Sequence, residues 1–319
     1  MVKFARSSAA FILVCALVIS QGMGATAKKR SRIVIKGDKI VKTQADPDAD
    51  PGTASPRVPK DFHLLSDGEL PLKADGAIVL DGYTGKPLYE KNADLPLFPA
   101  STTKVMTALL VIEEGDLDHE VVITEEDAKV GESSLQIKVG ERYTRRQMLY
   151  GLMLKSANDV AHALGRDNAG TIEDFAEKMT RRARELGAKN TSFRNPHGLH
   201  DPSHYTTARD LATIARAAME QPFFRTVVST LKFPWVRDTP KTEVWEITNH
   251  NRLLTRFEGC TGVKTGFTNP AQGTLVSAAI REHREVISTV MHDGRLEKWE
   301  DSMLLLTYGL DHPPVQEAN

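Results

Sequence analysis

Phe98-Pro99-Ala100-Ser101-Thr102-Thr103-Lys104-Val105-Met106-Thr107-Ala108-Leu109-Leu110-Val111-Ile112 is the stretch that organises the chain. Proline suits the first turn of a helix, where a missing N–H is no loss. From Val105 to Ile112 nearly every residue is apolar, and a helix apolar all round is one enclosed by protein. Ser101 and Lys104 stand three positions apart at its mouth, so they share a face. A lysine in such surroundings loses proton affinity and can act as a base near neutral pH. The helix N-terminus favours negative charge developing near Ser101. Together these read as a serine nucleophile with a lysine base. The same spacing recurs at Ser229 and Lys232, but it runs into Phe233-Pro234-Trp235 with no apolar helix behind it, and we read that copy as chance.

The 319 residues are 40% hydrophobic, enough for a sizeable core, and the net charge of −1 offers no bulk attraction for nucleic acid. Residues 1–27 read as a secretory signal, with Lys3 and Arg6, an apolar run over 9–19 and the cleavage pattern Ala25-Thr26-Ala27. An uncleaved anchor is the alternative, and the basic run Lys28-Lys29-Arg30-Ser31-Arg32 sits oddly after the proposed cut. The expected location is therefore the periplasm or cell-wall space. Cys15 leaves with the signal, so Cys260 has no partner for a disulfide. Residues 28–72 are basic, then acidic and proline-rich, which is linker composition. Their basic part, 28–42, is a solvated tether or a weak contact with anionic membrane or wall polymer. On this reading a chain of residues 74–319 folds and works as well as the mature protein.

Order is expected from about residue 74. Residues 77–80 and 87–90, joined by Asp81-Gly82-Tyr83-Thr84-Gly85, read as a β-hairpin. The central helix stops at Gly115. Short strands are expected at 120–124 and 135–139, and helices at 145–154, 157–165, 171–186 and 206–220. After about 231 the pattern turns to strands, at 244–248, 263–267, 273–280 and 285–291. A last helix over 295–309 carries Trp299, Met303 and Leu306 on its apolar face. Strands at both ends around a helical middle give an α+β fold whose termini share one sheet.

Two further motifs follow Ser101 in order. Leu154-Lys155-Ser156-Ala157-Asn158 places a hydroxyl and an amide at a loop-to-helix boundary, where Ser156 is either a helix cap or a site residue. Gly262-Val263-Lys264-Thr265-Gly266-Phe267-Thr268 places an amine, a hydroxyl and a glycine on a strand, either a plain edge running into a turn or a binding strand. Ser-x-x-Lys, Ser-x-Asn and Lys-Thr-Gly in that sequence resemble the motifs of the penicillin-recognising serine hydrolases. Residues 98–108, Asn195-Pro196-His197-Gly198-Leu199, Thr206-Thr207-Ala208-Arg209-Asp210-Leu211-Ala212 and Thr248-Asn249-His250-Asn251-Arg252-Leu253-Leu254 narrow the resemblance. Over about 74–310 the chain is similar to the D-alanyl-D-alanine carboxypeptidases, the low-molecular-weight penicillin-binding proteins.

The resemblance implies a β-lactamase/transpeptidase-like α+β fold. An antiparallel sheet is built from both ends of the chain, a helical subdomain lies beside it, and the active site lies between. With the signal and linker read from composition, the expected segments are 1–27 signal, 28–72 linker, 73–312 catalytic domain and 313–319 tail. Ser101 would attack, Lys104 would take its proton, Ser156 would relay a proton to the leaving group, and Asn158 would hold Lys104 and the substrate amide. Lys264 and Thr265 would bind the substrate's terminal carboxylate, Gly266 would allow close backbone approach, and the N–H groups of Ser101 and Phe267 would form the oxyanion hole. Neither cofactor nor metal is implied. The implied partners are a peptidoglycan stem peptide ending in D-Ala-D-Ala and β-lactams as covalent inhibitors, without nucleic acid. Ala157 stands where the family usually has glycine, and Arg295 or Lys298 would be the counterpart of a cation before the last helix. The alternatives are a D,D-endopeptidase, a class A-like β-lactamase, for which Glu173, Glu177 and Glu185 lack the required context, and a catalytically silent wall-binding protein.

Overall fold

The computed structural model of the protein describes residues 32–36, 39–43, 69–237 and 243–312. The stretch read as a signal peptide and the tail 313–319 lie outside these residues, as does most of the expected linker. The main sheet has five antiparallel strands: β1 (Gly76–Asp81), β2 (Pro87–Lys91), β3 (Cys260–Thr268), β4 (Gln272–Arg281) and β5 (Arg284–Asp293). Their order across the sheet is β2-β1-β5-β4-β3, so the first hairpin docks on strands from the far end of the chain. Val79 faces Ser288 across one junction and Leu275 faces Thr265 across another.

Every residue of β1 is buried, because both faces of the sheet are covered. Side chains alternate between faces along a strand. Ala77, Val79, Leu275, Val286 and Val290 meet Trp299, Met303 and Leu306 of the C-terminal helix α6 (Glu297–Asp311). Ile78, Leu80, Val276, Ile287 and Met291 join the larger core of the helical part. That part is built on α1 (Lys104–Glu114), α2 (Arg145–Leu154), α3 (Asn158–Ala169), α4 (Ile172–Glu185) and α5 (Ala208–Met219). Residues 104–111 are all buried, the enclosed helix that the apolar run predicts. The α+β fold, with its sheet made from both ends of the chain, is as the sequence implied.

Three differences stand against the sequence reading, the first two with a physical cause. Leu135 and Ile137 are buried and Gln136 and Lys138 exposed, the alternation of a strand, yet 135–139 forms none. The N–H groups of Leu135 and Ile137 go instead to the Asp159 carboxylate, at 3.2 and 3.3 Å. An unexpected helix, Pro222–Ser229, opens on proline and buries Phe224, Val227 and Val228, an i, i+3, i+4 set too short to stand out. The stretch 28–72, expected to have low structure, holds strands Arg32–Lys36 and Lys39–Thr43, the second lying parallel to Glu243–Thr248.

At the end of the same stretch Leu70 and Leu72 are buried at 2% and 7% exposure in the core under α6. The Leu70 N–H donates to Tyr89 Oη at 3.1 Å, and the Lys73 and Ala74 N–H groups donate to Asp301 Oδ2 at 2.6 and 2.8 Å. The domain therefore begins before residue 73. A chain starting at Glu69 should outlast one starting at Ala74 in urea by about 3 kcal/mol or more, at ~1.5–3 kcal/mol for each buried leucine. Equal midpoints and slopes for the two would show that these leucines contribute nothing.

Candidate active site

Pro99 and Ala100 lead into a short 3-10 turn, Ala100–Thr103, which passes directly into α1. Three hydroxyls fasten this entry. Thr102 Oγ1 donates to the Pro99 carbonyl at 2.6 Å, Thr103 Oγ1 lies 2.9 Å from His204 Nε2, and Thr107 Oγ1 donates to the Pro196 carbonyl at 2.7 Å. The Arg194 N–H donates to His204 Nδ1, so the proton of this imidazole sits on Nε2 and points at Thr103. Burial holds His204 down to about 4, so it is neutral at working pH. Gly198, at φ +85°, lies so close that a Cβ there would sit 1.8 Å from the Ala100 carbonyl oxygen.

Lys104 is fully buried, and its Nζ has three neighbours: Ser101 Oγ at 3.0 Å, Asn158 Oδ1 at 2.7 Å and the His197 carbonyl at 2.7 Å. Two are acceptors only, and the third is a hydroxyl. A neutral amine has two hydrogens and one lone pair, which matches that set with the lone pair on Ser101. Burial holds the Lys104 ammonium well below the usual lysine range, and the Lys264 cation lowers it further, against Asp159 and Glu132. The contact between residues i and i+3 is thus made as the sequence predicts.

The second motif lies beside the first. Ser156 is buried with φ +59°, a left-handed conformation that costs a serine energy, and the next helix is capped by Ala157 instead. The plain capping role for Ser156 is therefore not the one it fills. Asn158 reaches Lys104 with its oxygen while its Nδ2 donates to the Gly131 carbonyl at 3.2 Å. Asp159 accepts from Ser134 Oγ at 2.7 Å and from the N–H groups of Leu135, Ile137 and Val160. Lys155 Nζ lies 3.3 Å from His250 Nε2.

The third motif is on β3, at the edge of the sheet. Lys264 and Thr265 are buried, and Lys264 Nζ donates to the Thr265 carbonyl at 2.8 Å. Gly266 is required by proximity. A Cβ there would sit 2.2 Å from Thr274 Oγ1 and 3.0 Å from the Ser101 nitrogen. Thr274 in turn donates to the Pro99 carbonyl at 3.0 Å, tying the sheet to the helix entry. Lys298 Nζ donates to the Gly266 carbonyl at 3.2 Å, and the Arg295 guanidinium stands 3.9 Å over the Phe267 ring.

A serine, a neutralised lysine, an amide from a neighbouring helix and an edge strand against the nucleophile's own N–H make an acyl-transfer arrangement. The sequence model of a family described as D-alanyl-D-alanine carboxypeptidase, peptidase S11, matches residues 65–294. The chain belongs to this family. Among similar proteins, D-alanyl-D-alanine carboxypeptidase DacF of Bacillus subtilis is 36% identical over 70% of this chain, which spans 58% of that protein's length. A D-alanyl-D-alanine carboxypeptidase of Streptomyces strain K15 is 35% identical, over 75% of this chain and 87% of its own. The crystal structure of the Streptomyces K15 DD-transpeptidase superposes with a TM-score of 0.72 at 34% identity, covering 75% of this chain and 98% of that one.

The family's three motifs therefore meet at one point here. Several groups that build the site were not picked out from the sequence. His197 contributes only a backbone carbonyl, which leaves no side-chain signal. His204 and Asp159 act on neighbours remote in sequence, although an aspartate opening a helix straight after Ser-x-Asn is a visible sign.

Two outcomes are expected. Gly266→Ala should lower kcat/KM by about a hundredfold, the scale of an ångström-sized misplacement, with the fold kept. Acylation should be slow at acid pH, where Lys104 is charged, and rise as the amine loses its proton. Lys264→Ala removes one cause of the lowered Lys104 value, so this rise should move to higher pH. An unmoved rise would separate Lys264 from the state of Lys104.

Proposed function

We propose that the chain is a serine-type D-Ala-D-Ala carboxypeptidase that removes the terminal D-alanine from peptidoglycan stem peptides. The observation that carries this reading is the contact of Lys104, whose charged form burial disfavours, with Ser101, facing a glycine-bared edge strand with two cations behind it. Ser101 Oγ attacks the carbonyl joining the last two D-alanines while its proton passes to Lys104. The oxyanion is held by the Ser101 and Phe267 N–H groups, an arrangement worth about 3 kcal/mol per donor in acyl transfer. The C–N bond breaks as a proton reaches the leaving amine through Ser156, and water then hydrolyses the acyl-enzyme. Asn158 holds Lys104 and the substrate amide, and Lys264 and Thr265 receive the free carboxylate.

The same geometry suits the strained amide of a β-lactam, whose ring keeps the leaving group tethered. Residues 1–27 support export to the periplasm or wall space, and among the described residues no helix is long and apolar enough to cross a membrane. The basic run in 28–42 would rest weakly on anionic wall or membrane. The test uses a peptide ending in D-Ala-D-Ala and a fluorescent penicillin. D-alanine should be released, the label should sit on the peptide bearing Ser101, and Ser101→Ala should abolish both. Labelling that survives in Ser101→Ala would overturn the nucleophile, and labelling without D-alanine release would overturn the carboxypeptidase.

A further inference from the structure

Two aspartates outside the motifs meet in the interior. Asp293, the last residue of β5, is 3% exposed, and Asp301, in the second turn of α6, is 2% exposed. Their carboxyls are in hydrogen-bond contact. Asp301 Oδ2 already accepts from the Lys73 and Ala74 N–H groups, and Asp293 Oδ1 accepts from the Gly294 N–H at 2.7 Å. Asp293 Oδ2 is buried and finds no donor among the described residues. Two ionised carboxylates do not form a hydrogen bond, so the hydrogen joining them must be one of their own. Asp301 serves two N–H donors as an anion, which leaves the proton on Asp293.

The place of this pair gives it consequences. Phe267 pairs with Gly273 and Gly273 with Asp293, so one row crosses three strands from the proposed oxyanion N–H to the aspartate. The turn after Asp293 lies tightly on that row. A Cβ on Gly273 would sit 2.5 Å from the Gly294 carbonyl oxygen and 3.1 Å from Lys298 Cδ. The same turn carries Arg295 to Phe267, and the first turn of α6, into which it leads, carries Lys298 to the Gly266 carbonyl. We propose that Asp293 is a positioning residue: its proton, shared with Asp301, holds the β5–α6 turn so that Arg295 and Lys298 stand behind the carboxylate-binding strand. Loss of the proton sets two negative charges against each other, loosens the turn and weakens substrate binding.

Burial first, and then the Asp301 charge, push Asp293 up to about 8, while the Gly294 N–H pulls the other way. Glu297 on α6 adds to the rise, and Lys91 on β2 opposes it at Asp301. Lys73 is drawn to Glu300, and Asp75 to His292, at the rim. A raised folded value means that the stability Asp293 contributes is complete below the ordinary aspartate value of about 4 and lost as pH rises through about 8.

The inference rests on the Ser101 site reading, and the test keeps the two apart. In the parent chain KM for a D-Ala-D-Ala peptide should climb above the titration of Asp293, with kcat/KM falling about tenfold per pH unit and kcat little changed. Asp293→Asn keeps a donor toward Asp301 and cannot ionise, so it should match the parent at pH 6–7 and lack the alkaline fall. Asp301→Asn can accept from Lys73 and Ala74 and donate to Asp293, and should also lack it. An alkaline fall that is the same in Asp293→Asn, or absent from the parent, overturns the proposal. Should both variants misfold, carbon-13 NMR of aspartate-labelled parent protein decides: one carboxyl titrating near 8 is expected, and none above about 6 overturns it. Failure of the Ser101 reading would show separately, as no penicillin label at any pH.

Discussion

The site depends on keeping one lysine uncharged inside protein. An ammonium in an apolar interior is costly, and the amine responds by giving up its proton. The fold reinforces that outcome by surrounding Lys104 with partners that leave its lone pair for Ser101. Asn158 and the His197 carbonyl each take an N–H and offer no compensating negative charge. The carboxylate whose charge most favours the Lys104 proton, Asp159, has its oxygens engaged by Ser134 and three backbone N–H groups. Burial pushes the Asp159 carboxyl up and these donors pull it back, so the loop 133–138 fixes the place and the charge of a group that bears on Lys104 without touching substrate.

The same economy explains the local strain. Ala100 and Ser156 both have positive φ and both are buried, one just before the nucleophile and one in the second motif. Each costs on the order of 1–3 kcal/mol, and such conformations persist only where surrounding contacts fix them. The contacts are visible: Gly198 pressed on Ala100, the Thr102, Thr103 and Thr107 hydroxyls on carbonyls and His204, and Ser133 Oγ on the Lys155 carbonyl at 2.9 Å.

What the sequence revealed follows from which groups do the work. Ser101, Lys104, Ser156, Asn158, Lys264 and Gly266 carry their proposed roles in side chains, or in the lack of one, so their identities and order could be read directly. The enclosed helix α1 and the closing strands were legible because burial on all sides leaves a continuous apolar run. Residues 135–139 misled, since their alternation reports burial of Leu135 and Ile137 and not a ladder. Leu70, Leu72 and Ala74 alternate with the exposed Glu69, Pro71, Lys73 and Asp75, but three apolar positions around a proline are too short a run to stand out from the linker composition before them. Asp293 and Asp301 are paired only by the docking of α6 on β5, which no local pattern encodes.

The arrangement also bears on how the acyl-enzyme is released. Hydrolysis needs a base beside the water that replaces the departed amine, and of the described groups near Ser101 only Lys104 has both contact with Oγ and a proton-free state to offer. Asp159 is occupied by its donors, and Glu132 acts on Lys104 only through its charge. One amine must therefore serve both half-reactions, returning its proton to the leaving group before it can activate water. A D-alanine that diffuses away leaves room for that water. A β-lactam cannot leave, because its amine remains covalently joined to the acyl group and stays where the water has to enter. On the proposed reading, slow release of a β-lactam and turnover of a peptide would both follow from reliance on one buried base in contact with the nucleophile.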